Sequence, residues 1–318
     1  MYIGCTMNQP SIPMIQTYDY RQFSPAESLS PLKQEAGETV SVIIPALNEE
    51  STIGPIVSCI VDQLIENVGL VDEVVVMDGN SNDKTAEIAG DAGAKVYNVE
   101  ELAPKVDTAG KGCAMWKALS VARGTIVVYV DADIRNFDTR FVFGLLGPML
   151  ANPETCFVKA CYDRPYVLED GTFVQGEGGR VTEILVRPFL AAFYPELSDL
   201  QQPLAGEYAI RRSLAERIPF HSGYGVELGL LIAINRLCGP EVLAQTSMGT
   251  RIHRNRNIHD LGRMSFGILT AAMKQMECDG LVKFAKPMKT RMSSVADSSP
   301  QPDSVAEQVL PPIIDRKG

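Results

Sequence analysis

Asp131-Ala132-Asp133 closes the apolar run Thr125–Val130 (TIVVYV). Two carboxylates two residues apart, just past a buried strand, can share one divalent cation. Alternatively, one can take the cation and the other a ribose or sugar hydroxyl. Such hard oxygen ligands suit Mg²⁺ or Mn²⁺, which also bridge phosphate oxygens. Alone, an Asp-x-Asp pair is a weak signal, and a solvated acidic turn explains it equally well. Two further acidic residues change the balance. Asp78 ends the run Val71–Met77 (VDEVVVM), and Glu49 follows the run Val40–Ala46 (VSVIIPA). Three acidic strand ends on one sheet edge repel each other unless a cation, or donors from a base and ribose, compensate. Ligands of open α/β sheets bind beyond that edge.

Cationic and glycine-rich segments supply the complementary chemistry. Lys111, between Gly110 and Gly112, opens a helix and can approach a phosphate or base closely. The spacing is not that of a Walker A loop. Gly176-Glu177-Gly178-Gly179-Arg180-Val181-Thr182 precedes another helical stripe. Its amides, the Arg180 fork and the Thr182 hydroxyl form a candidate anion cradle, with a plain glycine turn as the competing explanation. His253 is one of three histidines and follows a strand-like stretch ending at Ile252. It can complete a metal site with Asp133, and the run Arg254-Asn255-Arg256 can hold an anion. Glu227 enters a helix after Gly223-Tyr224-Gly225. The helix dipole is reason enough for an acid there, and sugar hydroxyls are an equal one.

The elements that position these residues alternate. Helical stripes start at Ile53, near Thr85 and at Lys111, and a further strand spans Ala94–Val99. Strand and helix therefore alternate four times within a hundred residues, which predicts an α/β fold with a mainly parallel sheet flanked by helices. The expected organisation is an N-terminal arm over 1–37, a body in two parts over 38–150 and 151–284, and a disordered tail over 285–318. The arm lacks periodicity, and the tail is rich in Ser, Pro, Asp and Lys.

Composition bounds the function classes. The 318 residues carry a net charge of -10, which disfavours a nucleic-acid binder. Seven cysteines without a Cys-x-x-Cys pair point to reduced thiols in a reducing compartment. With no secretory leader and no apolar run of about 18–20 residues, a cytoplasmic protein without a membrane partner is expected.

Taken together, VIIPALNEE, Asp78–Thr85, Gly110–Gly112 and Asp131–Asp133 resemble the nucleotide-sugar half of GT-A-fold glycosyltransferases. GEGGRVTE, RPFLAAFYPEL, QPLAGEYA, GYGVELGLLI and RIHRNR resemble the glucosyl-3-phosphoglycerate synthases, and the mannosyl-3-phosphoglycerate synthases are also similar. The match runs from about Ser41 to Phe284. It implies a retaining, Mg²⁺- or Mn²⁺-dependent hexosyltransferase, acting from a nucleotide-diphosphate sugar to the 2-hydroxyl of 3-phosphoglycerate. The residue roles it implies begin with the donor: Pro45, Ala46, Leu47 and Glu49 at the uridine, with Lys111 beside the base. Asp78, Gly79 and Asp131 also fall on the donor side. Asp133 and His253 are the implied metal ligands. Gly179, Arg180, Thr182 and Asn255 are implied at the acceptor, Tyr224 and Glu227 at the hexose, and Leu204 below the anomeric carbon. Relatives often read Asp-Ser-Gly-Ser where this chain has Asp78-Gly79-Asn80-Ser81, which puts base preference in question. UDP-glucose is the expected donor and a homodimer the expected assembly. A mannosyl enzyme using GDP-mannose and a metal-dependent nucleotidyltransferase are the alternatives.

Overall fold

The computed structural model describes residues 14–106, 108–167, 173–174, 179–252, 257–289, 291–292, 303–304 and 307–316. The residues that form its main sheet and the helices around it follow from the sequence pattern. VSVIIPA is β-branched throughout and forms β2 (Val40–Ala46), buried at every position but Pro45, as a central strand covered on both faces must be. Helices α2 (Ile53–Ile60), α3 (Thr85–Asp91) and α4 (Lys111–Ala118) cross between β2, β3 (Glu73–Asp78), β4 (Lys95–Asn98) and β5 (Ile126–Tyr129). Helix α5 (Arg140–Ala151) then leads to β6 (Phe157–Asp163), and α6 (Arg187–Phe193) precedes β7 (Tyr208–Arg211). Helix α7 (Val226–Cys238), β8 (Leu243–Thr250) and the long helix α8 (Ile258–Cys278) follow.

These strands and β1 (Gln16–Asp19) form one eight-stranded sheet, ordered β1-β8-β6-β7-β5-β2-β3-β4. Every pairing is parallel except those of β7, which runs antiparallel between β5 and β6. Two apolar cores cover the two faces, one centred on Trp116 and α7, the other on α2 and α5. Each core draws on residues before and after position 150, so the expected boundary between 150 and 151 falls inside a continuous sheet.

Both chain ends depart from expectation. The segment read as an arm contributes β1, which pairs with Ala244–Ser247, and the helix α1 (Leu29–Glu35). Phe23 and Leu29 are buried in the second core. Within the segment read as a disordered tail, residues 307–316 are packed: Val309–Leu310 pairs antiparallel with Phe220–His221, and Leu310 and Ile313 are buried. Both segments place only a few apolar residues among polar ones, too few for periodicity to register, and non-local pairing supplies what local pattern lacks.

Candidate active site

The carboxyl ends of β2 and β5 open into a cavity of about 300 Å³. Its strand-side wall is Pro45 near the end of β2, Leu47 and Glu49 from the turn that follows, and Asp131, Ala132 and Asp133 from the turn after β5. Lys111, the first residue of α4, stands between them. Gly179, Arg180 and Thr182 also line the cavity, with Leu204, Tyr224 before α7 and Glu227 in its first turn. Twelve of the residues named from sequence thus line one cavity: Pro45, Leu47, Glu49, Lys111, Asp131, Asp133, Gly179, Arg180, Thr182, Leu204, Tyr224 and Glu227.

Ala46, Asp78 and Gly79 do not line it. The Gly79 amide donates to the Ala46 carbonyl at 2.9 Å, and the Asp78 carboxylate accepts from the Ser81 amide at 3.2 Å. Ser81 Oγ accepts from the Asn48 amide at 2.9 Å. The 78–81 turn therefore shapes the 46–49 turn from behind. His253 and Asn255 lie outside the described residues.

Charge in the cavity is tightly paired. Lys111 Nζ lies 2.7 Å from Asp131 Oδ1 and 2.7 Å from Glu227 Oε1. Arg251 Nη2 lies 2.9 Å from both Asp131 Oδ2 and Asp133 Oδ1. Its Nε donates to Glu207 at 3.1 Å, and the Tyr162 hydroxyl donates to the other oxygen of Glu207 at 2.7 Å. Burial alone would push the Asp131 carboxyl up, but Lys111 and Arg251 outweigh it and hold the group well below the ordinary carboxylate range. Burial likewise disfavours charge on Lys111, and Asp131 with Glu227 more than offset it. Close packing requires glycine at 206, where a Cβ would sit 2.2 Å from the Asp131 carboxylate.

Arg251 is the main residue that motif reasoning missed. It follows β8 on the same sheet edge as Asp131 and heads the run RIHRNR, whose later members drew the attention. Its place past a strand end was the available signal. Arg164 and the α8 residues Leu261, Met264 and Ile268 also line the cavity. A helix that closes over a site from 130 residues away leaves no local mark.

The donor set fits a divalent cation. Oxygens of Asp131 and Asp133 already converge on one guanidinium nitrogen, so their carboxylates face a common point of positive charge, and they are hard oxygen ligands. Among the described residues no three His, Cys, Asp or Glu side chains gather as a metal cluster.

Comparison with known proteins agrees with the fold. The family model for glycosyl transferase family 2 matches residues 41–202. The chain belongs to glycosyl transferase family 2 and has the α/β architecture with a mostly parallel sheet expected of it. Within that family it aligns over most of its length with the glucosyl-3-phosphoglycerate synthases. It is 41% identical over 263 residues to the one from Petrotoga mobilis, covering 82% of this chain and 81% of that one. The Mycobacterium tuberculosis protein of that name is 43% identical over 245 residues, covering 76% of this chain and 74% of the relative. Among solved structures, the mannosyl-3-phosphoglycerate synthase of Rubrobacter xylanophilus superposes with a TM-score of 0.85 at 39% identity, over 95% of this chain and 96% of that one. The M. tuberculosis glucosyl-3-phosphoglycerate synthase, in complex with Mn²⁺, UDP and glucosyl-3-phosphoglycerate, gives 0.83 at 36% identity, over 95% and 100%. The sequence resemblance is thereby borne out, and the chain is a glycosyltransferase. Among the described residues no helix is long and apolar enough to cross a membrane.

Proposed function

We propose that this chain transfers glucose from UDP-glucose, or another nucleoside-diphosphate glucose, to the 2-hydroxyl of 3-phosphoglycerate with retention at the anomeric carbon. One observation carries the reading: a single cavity is lined both by the Asp131/Asp133 pair and by Gly179, Arg180 and Thr182, together with Tyr224 and Glu227. A nucleotide-sugar and a small phosphorylated acid need both sets. The M. tuberculosis relative, solved with Mn²⁺, UDP-glucose and phosphoglyceric acid, supports the same pairing of ligands.

In this reading Pro45 and Leu47 pack against the base, and Glu49 and Asp131 meet the ribose. Asp133, with Asp131 beside it and His253 as the further ligand, would hold Mg²⁺ or Mn²⁺. A cation there supplies charge against the departing diphosphate. Lys111 and Arg251 hold the carboxylates in place and keep Asp131 ionised. Tyr224 and Glu227 orient the hexose, and Leu204 lies under its anomeric carbon. Gly179, Arg180, Thr182 and Asn255 bind the phosphoglycerate, with the arginine fork matching phosphate or carboxylate geometry.

Asp131, Asp133 and Glu227 are each committed to a cation. A same-face displacement therefore suits this site better than a double displacement through an enzyme carboxylate. The anomeric C–O bond to the diphosphate breaks as the acceptor 2-oxygen bonds to that carbon. The hydroxyl proton passes to the leaving diphosphate oxygen.

The test is a donor-by-acceptor screen with Mn²⁺ or Mg²⁺ that detects released nucleoside diphosphate, followed by NMR assignment of the product's anomeric configuration. UDP release from UDP-glucose with 3-phosphoglycerate, giving the α-glucoside, is expected. Preference for GDP-mannose would install the mannosyl reading, which the Rubrobacter xylanophilus superposition favours. Pyrophosphate release from a triphosphate would replace both.

A further inference from the structure

The segment 307–313 reaches the loop that carries Tyr224 and leads into α7, and it also touches α8 and α4. Glu307 is buried, 4% exposed, and its carboxylate accepts from the amides of Gly223 at 2.9 Å and Gly225 at 3.0 Å. Those amides flank Tyr224, which lines the cavity, and lie just before Glu227. Lys274 on α8 donates to the Glu307 carbonyl. The next residue continues the grip: the Ser222 amide donates to the Gln308 carbonyl at 2.9 Å, and the Gln308 amide to Ser222 Oγ at 3.0 Å.

The far side of the same loop rests on α4. The Cys113 amide donates to the Ser222 carbonyl at 2.8 Å. Gly112 has no room for a side chain, since a Cβ would lie 1.8 Å from the His221 carbonyl oxygen. One turn further along α4, the Trp116 indole donates to the Pro311 carbonyl at 2.8 Å. The 221–225 loop is therefore gripped between the first turn of α4, which begins with Lys111, and the C-terminal segment. The Lys111–Glu227 ion pair spans the same junction from the cavity side.

We infer that segment 307–313 is a clasp that sets the sugar side of the site, with Glu307 as a positioning residue that fixes Tyr224 and the start of α7 against Lys111. Glu307 touches no cavity atom in this role. It acts by satisfying two amides that otherwise have no fixed partner, so the loop has one conformation when substrate arrives. Without it the loop samples others, and apparent donor affinity falls by the fraction of time the competent one is occupied. The inference rests on the donor assignment proposed above.

The test compares wild type, Glu307→Ala and Glu307→Gln in steady-state kinetics with UDP-glucose varied at saturating 3-phosphoglycerate and Mn²⁺. Thermal unfolding, calorimetric titration of 3-phosphoglycerate and Trp116 emission are recorded in parallel. Trp116 is the chain's single tryptophan, so its emission reports whether the clasp is seated. Two buried amides left unpaired predict a loss of about tenfold or more in kcat/KM for the donor in Glu307→Ala. Phosphoglycerate affinity should stay unchanged, and Glu307→Gln, which keeps one acceptor oxygen, should recover part of the loss. Wild-type donor kinetics in a folded Glu307→Ala would overturn the inference. So would parallel losses of donor and acceptor binding that track the melting temperature in both variants, or a red-shifted Trp116 emission with unaltered donor kinetics. If wild type itself releases no UDP from UDP-glucose, the donor assignment fails instead.

Discussion

Two acidic sites sit at opposite ends of the same sheet. At the amino edge, Glu73 is buried and accepts from Ser41 Oγ at 2.7 Å, the Arg123 amide at 2.7 Å and Lys95 Nζ at 2.6 Å. At the carboxyl edge, Asp131 and Asp133 face a cavity and pair with Lys111 and Arg251. Burial pushes the Glu73 carboxyl up, yet Lys95, Ser41 and the Arg123 amide together hold it below its ordinary value. A hydroxyl, a main-chain amide and the Lys95 ammonium close off Glu73, and its role is to hold strands together. Side-chain cations hold the aspartates beside open space, where a ligand can compete for them. What separates a structural carboxylate from a working one here is the room beside it, since both groups are paired with side-chain cations.

The sharpest way to break that contrast is to remove one carboxylate from each end. Asp133→Ala should cut metal-dependent turnover by about 10²–10³-fold or more while the melting temperature stays near wild type. Glu73→Ala should do the reverse. It should lose about 2–3 kcal/mol of stability, a figure kept modest because Lys95 is half exposed, and the folded fraction should keep its kcat and both KM values. Chemical denaturation and steady-state kinetics on the same samples read both, and a crossed result would erase the distinction.

Arg180 sharpens the picture of the rest of the cavity. Arg180→Ala should raise the phosphoglycerate KM about 30-fold or more, the typical loss for a truncated charge-assisted contact, and leave nucleotide affinity unchanged. Arg180→Lys should recover only part, because charge survives and the planar fork does not. Equal losses for both ligands would make Arg180 a loop tie rather than an acceptor contact.

A last contrast concerns pH. His221 is fully buried against Gln275, and burial lowers its pKa from 6.5 to about 4, with Lys274 adding to the effect. Between about pH 6.5 and 4 the unfolded chain binds a proton that the folded chain refuses, so stability falls as pH falls through that window. The loss is on the order of 3 kcal/mol by pH 4. Glu73 has the opposite partner logic: its stabilisation is complete above its unfolded value of 4.5 and fades as pH drops below it. Urea denaturation from pH 7 to 4 should therefore show a slope that His221→Asn flattens. Glu73→Gln should alter only the most acidic part.

The nucleotide half of the molecule was legible because its signals are local. Val40–Ala46 is a strand with the bounds its composition suggests, and Asp131 and Asp133 stand where the end of a buried run must put them. Helix starts at Thr85 and Lys111 also fall where the pattern places them. Arg251 was not legible as a site residue, because its role comes from Glu207, Asp131 and Asp133, each at least 44 positions away. Residues 14–36 and 307–316 were misjudged for the same reason. Their strands are short, and what makes them strands is a partner far along the chain. The outward step of Asp78 and Gly79, from cavity wall to supporting turn, depends on a hydrogen bond to Ala46 that no motif records.

The reversed strand β7 has a consequence for how the molecule is made. It is synthesised after β5 and β6, yet it lies between them. A nascent chain that has emerged only as far as the residues before Tyr208 must hold β5 and β6 one strand apart, roughly 10 Å, or let them meet wrongly. Each then offers an unpaired edge that can template pairing with another chain. Because β7 runs backwards, its start lies on the ligand edge, and its insertion carries Leu204, Gly206 and Glu207 to Asp131 and Arg251. The step that removes the aggregation-prone gap during synthesis is thus the same step that assembles the charged floor of the cavity.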